Sequence, residues 1–431
     1  MDNNALDTLG KPETPGKKMS CDVVVVGAGM VGASAALGLN ALGYRVLMVD
    51  TFPDAMTMRP YTPSYDDRST ALSWGSRMIL EQLGIWSDLG EHVCPITQVH
   101  VSEQGRMGTT RLNAAEFNVD ALGYVAPNRA IGAALMAAIA KTRITRVAPA
   151  RVCELKSGQG AQQLVLTNDE ASTAHECEVQ CQLVVIADGS DSHTARLIGI
   201  ETEIQDYHQH ALIANISTSE PNDGQAFERF TASGPIALLP LDCQTSALVW
   251  TNSEASTERL RGLPEDAFLD ELQGAFGDRL GRLTRCGTRA SYPLRLTRAK
   301  EQVRQGAVLL GNAAHSLHPV AGQGFNLALR GLASFLEAVS NERVDAPLRD
   351  YAGIRAAVTE HSRDQSSTIF FSDQLVRLFG TRSTLLSVVR DAGLVGLNNL
   401  PVAKRAFARR AMGLGTRQGI FNPGGVHESH V

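Results

Sequence analysis

Residues 21–50, CDVVVVGAGMVGASAALGLNALGYRVLMVD, constrain the fold more than any other stretch of the chain. Four consecutive valines suit a strand buried on both faces, and they run directly into Gly27-x-Gly29-x-x-Gly32. A helical pattern then continues to about Leu42, Gly43 stops it, and a second β-rich run ends at Asp50. Strand, glycine turn, helix and strand in this order predict a parallel βαβ unit with a dinucleotide, FAD or NAD, at the helix N-terminus. Gly27 makes the tight turn, Gly29 lets a pyrophosphate approach the backbone, and Gly32 lets helix and strand pack closely, with Ala28 and Met30 completing the loop. Asp50, 23 residues after Gly27, is placed to accept hydrogen bonds from a ribose.

A second stretch of the same texture runs from Ala307 to Gly331, AVLLGNAAHSLHPVAGQGFNLALRG. Four apolar residues predict a buried strand, two histidines, a proline and two glycines make a loop, and a helix is expected from about Gln323. Gly322 and Gly324 let the backbone approach a flat ligand, and the amides opening the helix favour negative charge. Between these ends, a β-like run over Cys177–Ile186 closes on Ala187-Asp188-Gly189, a sharp turn at the carboxyl edge of a sheet, where α/β proteins bind ligands. A proline-rich loop over 53–67 leads to Arg68, whose guanidinium could grip two phosphate oxygens in a fork. Asn128 is expected to cap a helix over Arg129–Lys141.

A chain of 431 residues with 43% hydrophobic content is long enough for two cores. A net charge of -5 argues against a general nucleic-acid binder, and no segment reaches the 18 or so consecutive apolar residues of a spanning helix. Residues 1–20 lack the apolar core of a secretory signal and are expected to form a disordered tail. Seven scattered cysteines without metal-ligand spacing are expected to be buried thiols in a reducing cytoplasm. From His210 to about Ala290, short β-like runs such as ALIANIST, PIALLPL and SALVWT alternate with turn residues, and one helix is expected at Pro264–Phe276.

The expected fold class is therefore α/β. A Rossmann-like dinucleotide-binding domain (21–75, 110–205 and 287–362) carries an inserted, mainly antiparallel β-sheet substrate domain (76–109 and 206–286). Helices at 363–415 and a flexible tail at 416–431 complete the chain.

GAGMVG with Asp50, the ADGSDS turn, and LLGNAAHSLHPVAGQGFNLALRG, in this order, resemble the three fingerprints of the single-component flavoprotein aromatic hydroxylases of the para-hydroxybenzoate hydroxylase type. Within that group RSTALS, the GNAAH variant and the run from DQLVRLFG to VAKRAFARRAMG are similar to the ubiquinone-biosynthesis hydroxylases, and the likeness covers Cys21 to Gly415. The resemblance implies bound FAD, with Gly27, Gly29 and Gly32 at its pyrophosphate and Asp50 at its ribose. It implies Arg68 and Arg129 at the cofactor's middle, Asp188 and Gly189 serving FAD and a passing nicotinamide, and Gly311 and Asn312 at the ribityl or phosphate region. The loop Pro319–Gly324, with Gly322 and Gln323, would lie along the isoalloxazine. Two positions depart from the wider pattern: Asn312 stands where most of the group has aspartate, and Arg196 falls one residue late, which leaves its role open.

The implied reaction is hydroxylation of a prenylated phenol such as 2-polyprenyl-6-methoxyphenol in ubiquinone biosynthesis. NADPH or NADH would act transiently, O2 as co-substrate, and the flavin through a C4a-hydroperoxide. The cofactor performs the hard chemistry while the protein positions the ring and keeps out water. His208, His210, His315 and His318 are the nearest titratable groups, but each reads better as a structural histidine, and the sequence assigns no catalytic base.

Residues 377–417 hold eight Lys/Arg against one acid, net +7, interleaved with Leu, Val and Phe. They predict a cytoplasmic protein peripheral on the inner face of the cytoplasmic membrane, or docked on other ubiquinone-biosynthesis proteins. A solvated helix face is the plainer reading. Hydroxylation at another position of the same ring, a non-hydroxylating flavin oxidoreductase and an FAD-bound scaffold remain as alternatives. The ring carbon, tail length, nicotinamide and homo-oligomeric state are open.

Overall fold

The computed structural model describes residues 18–52, 68–158, 160–167, 176–304, 306–316, 323–340, 348, 351–380 and 400–414. Two sheets organise them. The first follows the order 303–304, 307–309, 183–186, 23–26, 46–49, 145–147, parallel throughout except for the antiparallel edge strand Val303–Arg304. Its central strands, Val23–Val26 and Leu183–Ile186, are buried on both faces, as their unbroken aliphatic runs require. Met30–Ala41 and Asn128–Ala140 pack on one face together with the 18-residue helix Gln323–Ser340, chiefly through Leu329, Leu332, Phe335, Leu336 and Val339. The helices Met30–Ala41 and Gln323–Ser340 meet so closely that a Cβ at Gly38 would lie 2.3 Å from a methyl of Leu336.

The second sheet has nine strands and runs 315–316, 290–299, 202–218, 245–253, 235–240, 225–230, 98–103, 109–113, with 283–286 paired beside 202–218. It is antiparallel apart from the pairing of 225–230 with 98–103. One face carries Leu212, Phe227, Ile236, Leu238, Leu248 and Trp250 under two helices, Glu254–Gly262 and Glu265–Phe276, where the sequence suggested one. A three-stranded sheet, 69–73, 123–127 and 94–96, bridges the two halves.

The expected α/β class with an inserted, mainly antiparallel sheet is the observed architecture, but the boundaries lie elsewhere. The segment 76–109 is divided: Ile79, Leu80, Ile85 and Leu89 belong to the core of the parallel sheet, whereas 98–103 pairs with 225–230 in the large one. Strands 109–113, 202–218, 290–299 and 315–316 also belong to the large sheet, and 362 falls inside the continuous helix Tyr351–Gly380. Alternating strands joined by long-range pairing hide these assignments from local patterns.

Residues 18–20, expected within a disordered tail, form a strand. Lys18–Ser20 pairs in parallel with Glu176–Cys181, and the Lys18 ammonium lies 3.1 Å from the Glu178 carboxylate. Residues 1–17, 53–67 and 415–431 lie outside the described set. The expected burial of all seven thiols is also corrected: Cys21 and Cys181 are buried, Cys243 is exposed, and the other four are half-buried. None of the seven forms a disulfide among the described residues. Burial pushes the Cys94 and Cys286 thiols up to about 11 and the Cys21 thiol to about 12, so these three are inert as nucleophiles near neutrality.

Candidate flavin and substrate site

Four sequence motifs far apart in the chain end side by side at the carboxyl edge of the parallel sheet. The strands 307–309, 183–186, 23–26 and 46–49 are neighbours in that order, and they run out into Gly311-Asn312, Asp188-Gly189, Gly27–Gly32 and Asp50. Backbone bonds fix the adjacency: Gly27 donates to the carbonyl of Val49 (2.7 Å), Ala187 to Val26 (2.8 Å) and Leu310 to Ile186 (2.9 Å). Asp50 binds back to the loop, accepting from the amide of Ala28 through one oxygen and from Phe52 at 2.8 Å through the other.

The glycines divide by what surrounds them. Gly27 has φ 99°, and a Cβ there would lie 2.5 Å from the carbonyl oxygen of Ala187. A Cβ at Gly32 would sit 1.9 Å from the carbonyl oxygen of Gly27. Both are required by the fold itself. Gly29 is different: its φ of -63° suits any residue, and no atom lies within 4 Å of where its Cβ would be. The open space lies at the N-terminus of Met30–Ala41, a helix with no side-chain cap and no acid in its first turn. Such an end provides unshared amides and a favourable potential for an anion. Asp188 supplies a complementary signal, because its Oδ2 accepts from Thr194 at 3.1 Å while its Oδ1 is buried with no partner among the described residues. A buried acceptor in that state calls for a donor such as a ribityl hydroxyl. These features fit a bound dinucleotide.

Arg68 and Arg129 are brought together by the bridging sheet, in which Ser69 pairs with Pro127 and the Asn128 amide donates to the Arg68 carbonyl at 2.9 Å. Asn128 is the first residue of its helix, not the cap, and its side chain accepts from the Thr70 hydroxyl at 2.6 Å. The Arg68 guanidinium stands over the ring of Tyr292, 5.2 Å from its centroid. Gln323 and Gly324 open the helix Gln323–Ser340, and Gly324 also faces open space. Pro319, Gly322 and His318 lie outside the described residues. Arg196 is exposed and ion-paired with Asp191.

Asn326, one turn into that last helix, was not foreseen. Its Oδ1 accepts from the Ser73 amide (2.8 Å) and the Ser76 hydroxyl (2.6 Å), and its Nδ2 donates to the Ala71 carbonyl (2.8 Å). It therefore ties the helix after the flavin loop to the strand that carries Arg68. A lone asparagine in the apolar run FNLALRG was the available signal. Behind it, Arg330 donates from Nε to the Asp364 carboxylate at 2.8 Å in a buried pair. His315 and His361 lie near that pair with ring centroids 6.2 Å apart, and burial lowers each to about 3. Both are neutral at working pH, so neither moves a proton there. His208 is exposed at a bulge, and His210 shares a 3.2 Å hydrogen bond with Ser291.

Tyr292 pairs with Ala211 in the large sheet, so Arg68 addresses the face opposite the two covering helices. On this face Val101, Glu228, Ala237, Val249, Ile213 and Ala290 form one row across six strands. Every member of that row keeps part of its surface accessible, whereas Phe227, Leu238 and Leu248 on the other face are sealed. The row lies on the accessible face of the sheet, and at one end Ile96 and Val125 pack on Ala226.

A Rossmann-like edge that fits a dinucleotide, facing the open side of a β-sheet, defines the class of a flavin-dependent oxidoreductase. The chain belongs to the FAD-binding-domain family, whose model matches residues 20–366. It is 31% identical over 411 residues to ubiquinone hydroxylase UbiL of Rhodospirillum rubrum, covering 93% of this chain and 92% of that one. It is 27% identical to the 3-demethoxyubiquinol 3-hydroxylase of Escherichia coli (91% and 98% covered) and to the human ubiquinone biosynthesis monooxygenase COQ6 (90% and 92%). In fold it is similar to p-nitrophenol 4-monooxygenase PnpA of Pseudomonas putida, with a TM-score of 0.74 and 15% identity over 93% of this chain and 99% of that one. FAD is the resident cofactor, and the protein is an NAD(P)H-dependent flavoprotein monooxygenase with O2 as co-substrate.

Proposed function

We propose that this protein hydroxylates the ring of a prenylated phenol, 2-polyprenyl-6-methoxyphenol, in ubiquinone biosynthesis. The observation that carries the reading is the accessible row, aliphatic along Val101, Ala237, Val249 and Ile213, on the face that Arg68 addresses through Tyr292; in this reading it forms the floor of the substrate cleft. An apolar floor suits a ring with alkyl and methoxy substituents, and burying it there excludes water. The names of relatives at 27–31% identity support the pathway.

In this reading Gly27, Gly29 and Gly32 with the amides opening Met30–Ala41 hold the FAD pyrophosphate, and Asp50 and Asp188 accept from its hydroxyls. Gly311 and Asn312 flank the ribityl chain, and Arg68 and Arg129 lie at the cofactor's middle. Bound FAD, reduced by NAD(P)H, supplies the oxygen chemistry; these residues orient it, and the sheet orients the phenol. The test is NAD(P)H oxidation and O2 uptake by the FAD-loaded protein with and without 2-methoxy-6-(3-methylbut-2-enyl)phenol. Phenol-stimulated turnover with a hydroxylated product is expected. Tight FAD without phenol dependence would favour a reductase or a scaffold.

Access to a lipid-borne substrate enters through the helix Pro401–Ala411. No described helix is long and apolar enough to cross a membrane. Arg405 and Arg409 are exposed beside Val402 and Leu400, which are 83% and 60% exposed. Lys404 is instead ion-paired with Glu116 at 2.8 Å, and Arg410 bonds to Ser367. The docking face is thus Leu400, Val402, Arg405 and Arg409, and it would meet anionic headgroups, each arginine contributing about 1 kcal/mol. Replacing both arginines by glutamate should abolish sedimentation with phosphatidylglycerol vesicles; unchanged sedimentation would refute the docking face.

A further inference from the structure

One polar side chain interrupts the aliphatic floor of the cleft. Glu228 lies in the strand Gln225–Phe230, between Val101 on one neighbouring strand and Ala237 on the other. Its face is fixed by its neighbours in sequence. Phe227 points into the sealed core against Phe276, and Arg229 on the same side donates to the Ala275 carbonyl, so Glu228 between them points into the cleft. It is half-buried and keeps part of its surface accessible. Glu228 has no hydrogen-bond or ion-pair partner among the described residues. A buried carboxyl without a partner costs stability, and a structural position on an aliphatic row would be filled better by valine or leucine.

We propose that Glu228 receives the hydroxyl of the phenol, accepting its hydrogen bond and taking its proton as the ring is hydroxylated. In that step the phenol O–H bond breaks and a carboxylic O–H bond forms. The electron pair left on the phenol oxygen spreads into the ring, raising the nucleophilicity of its ortho and para carbons toward the oxygen atom that the flavin chemistry delivers. The substrate class follows: phenols whose other substituents are apolar, held by one polar contact on an aliphatic floor. Burial alone pushes the Glu228 carboxyl up to about 8, the range in which a group can hold or release a proton at working pH. The other titratable groups on this face are Glu103, one strand away, Tyr292 with Arg68 at the far side, and Arg285, paired with Ser217 beyond Ile213; Ile96 and Val125 at the near end bring no charge.

The inference rests on the phenol-hydroxylase reading, and its test separates the two. FAD-loaded parent, Glu228→Gln and Glu228→Leu are titrated with 2-methoxy-6-(3-methylbut-2-enyl)phenol and with its O-methyl ether, and turnover is measured from pH 6 to 9. Glutamine still accepts the hydrogen bond but cannot take the proton, so affinity should stay within about threefold while kcat falls about 100-fold and loses its rise through pH 8. Leucine should lower phenol affinity about tenfold, to that of the ether. Both variants should retain FAD and melt no lower than the parent. Parental kcat in Glu228→Gln, a preserved phenol-over-ether preference in Glu228→Leu, or a lower melting temperature in Glu228→Leu would overturn the assignment. A parent that neither binds nor turns over the phenol would overturn the underlying reading as well.

Discussion

Gly29 and Gly32 stand three residues apart in one loop, yet replacing each by alanine should have opposite consequences for the cofactor-free protein. At Gly32 the new methyl would sit 1.9 Å from the Gly27 carbonyl oxygen, so helix or loop must move by more than 1 Å to regain contact distance. Overpacking of that kind costs about 1–3 kcal/mol, and it also displaces the amides at the head of the helix. At Gly29 the methyl meets nothing within 4 Å and φ is already -63°. The loss of an N-cap preference and the gain from a stiffer unfolded chain should then leave the apoprotein within about 1 kcal/mol of the parent. The same methyl enters the space assigned to the pyrophosphate. Losing two charge-assisted amide–phosphate bonds at about 1.5–3 kcal/mol each weakens FAD binding by roughly 10²–10⁴-fold. Melting curves of stripped protein and fluorescence titration with FAD measure both terms. Gly29→Ala binding FAD like the parent would refute the placement of the pyrophosphate.

Other consequences follow from buried polar groups. Asn326→Ala removes three hydrogen bonds near the Arg68 strand and should cost about 3 kcal/mol in urea unfolding. Asp364→Ala leaves the Arg330 guanidinium buried without its carboxylate and should cost about 3–5 kcal/mol, whereas Arg330→Met combined with Asp364→Leu should recover most of it. His315 and His361 titrate near 3 when folded and near 6.5 when unfolded, so the unfolded chain binds the extra protons. Their contribution is complete above about 6.5 and is lost as pH falls toward 3, by up to about 1.4 kcal/mol per pH unit for each; His315→Asn with His361→Gln should flatten that slope in melts at pH 7 and 5. Glu228 has the opposite sign: its raised folded value means that stability is lost as pH rises from the ordinary carboxyl range to about 8, and Glu228→Leu should melt higher than the parent by a wider margin at pH 8 than at pH 5.

The turns proposed to hold the cofactor were legible in sequence because their conformational requirements are local. Gly27 and Gly32 are dictated by contacts with the loop's own neighbours, Asp50 by its place at a strand end, and the Asp188 and Gly311 turns by aliphatic strands that stop abruptly. The substrate floor was not legible. Whether Glu228 faces core or cleft depends on pairing with 98–103, over 100 residues earlier, and shifting that register by one residue exchanges the two faces. The same non-local pairing drew 110–113 and 290–299 into the large sheet. Lys404 and Arg410 counted equally with Arg405 and Arg409 as charges in the sequence, but ion pairing with Glu116 and bonding to Ser367 remove the first two from the exposed face.

The most direct measurement of the central claim is product mass after turnover under ¹⁸O2, using FAD-loaded protein, NADPH or NADH, and 2-methoxy-6-(3-methylbut-2-enyl)phenol. One ¹⁸O atom in the ring product and NAD(P)H consumption that depends on the phenol are expected. Unchanged phenol with NAD(P)H consumption indifferent to it, from protein that holds its FAD, would contradict the claim.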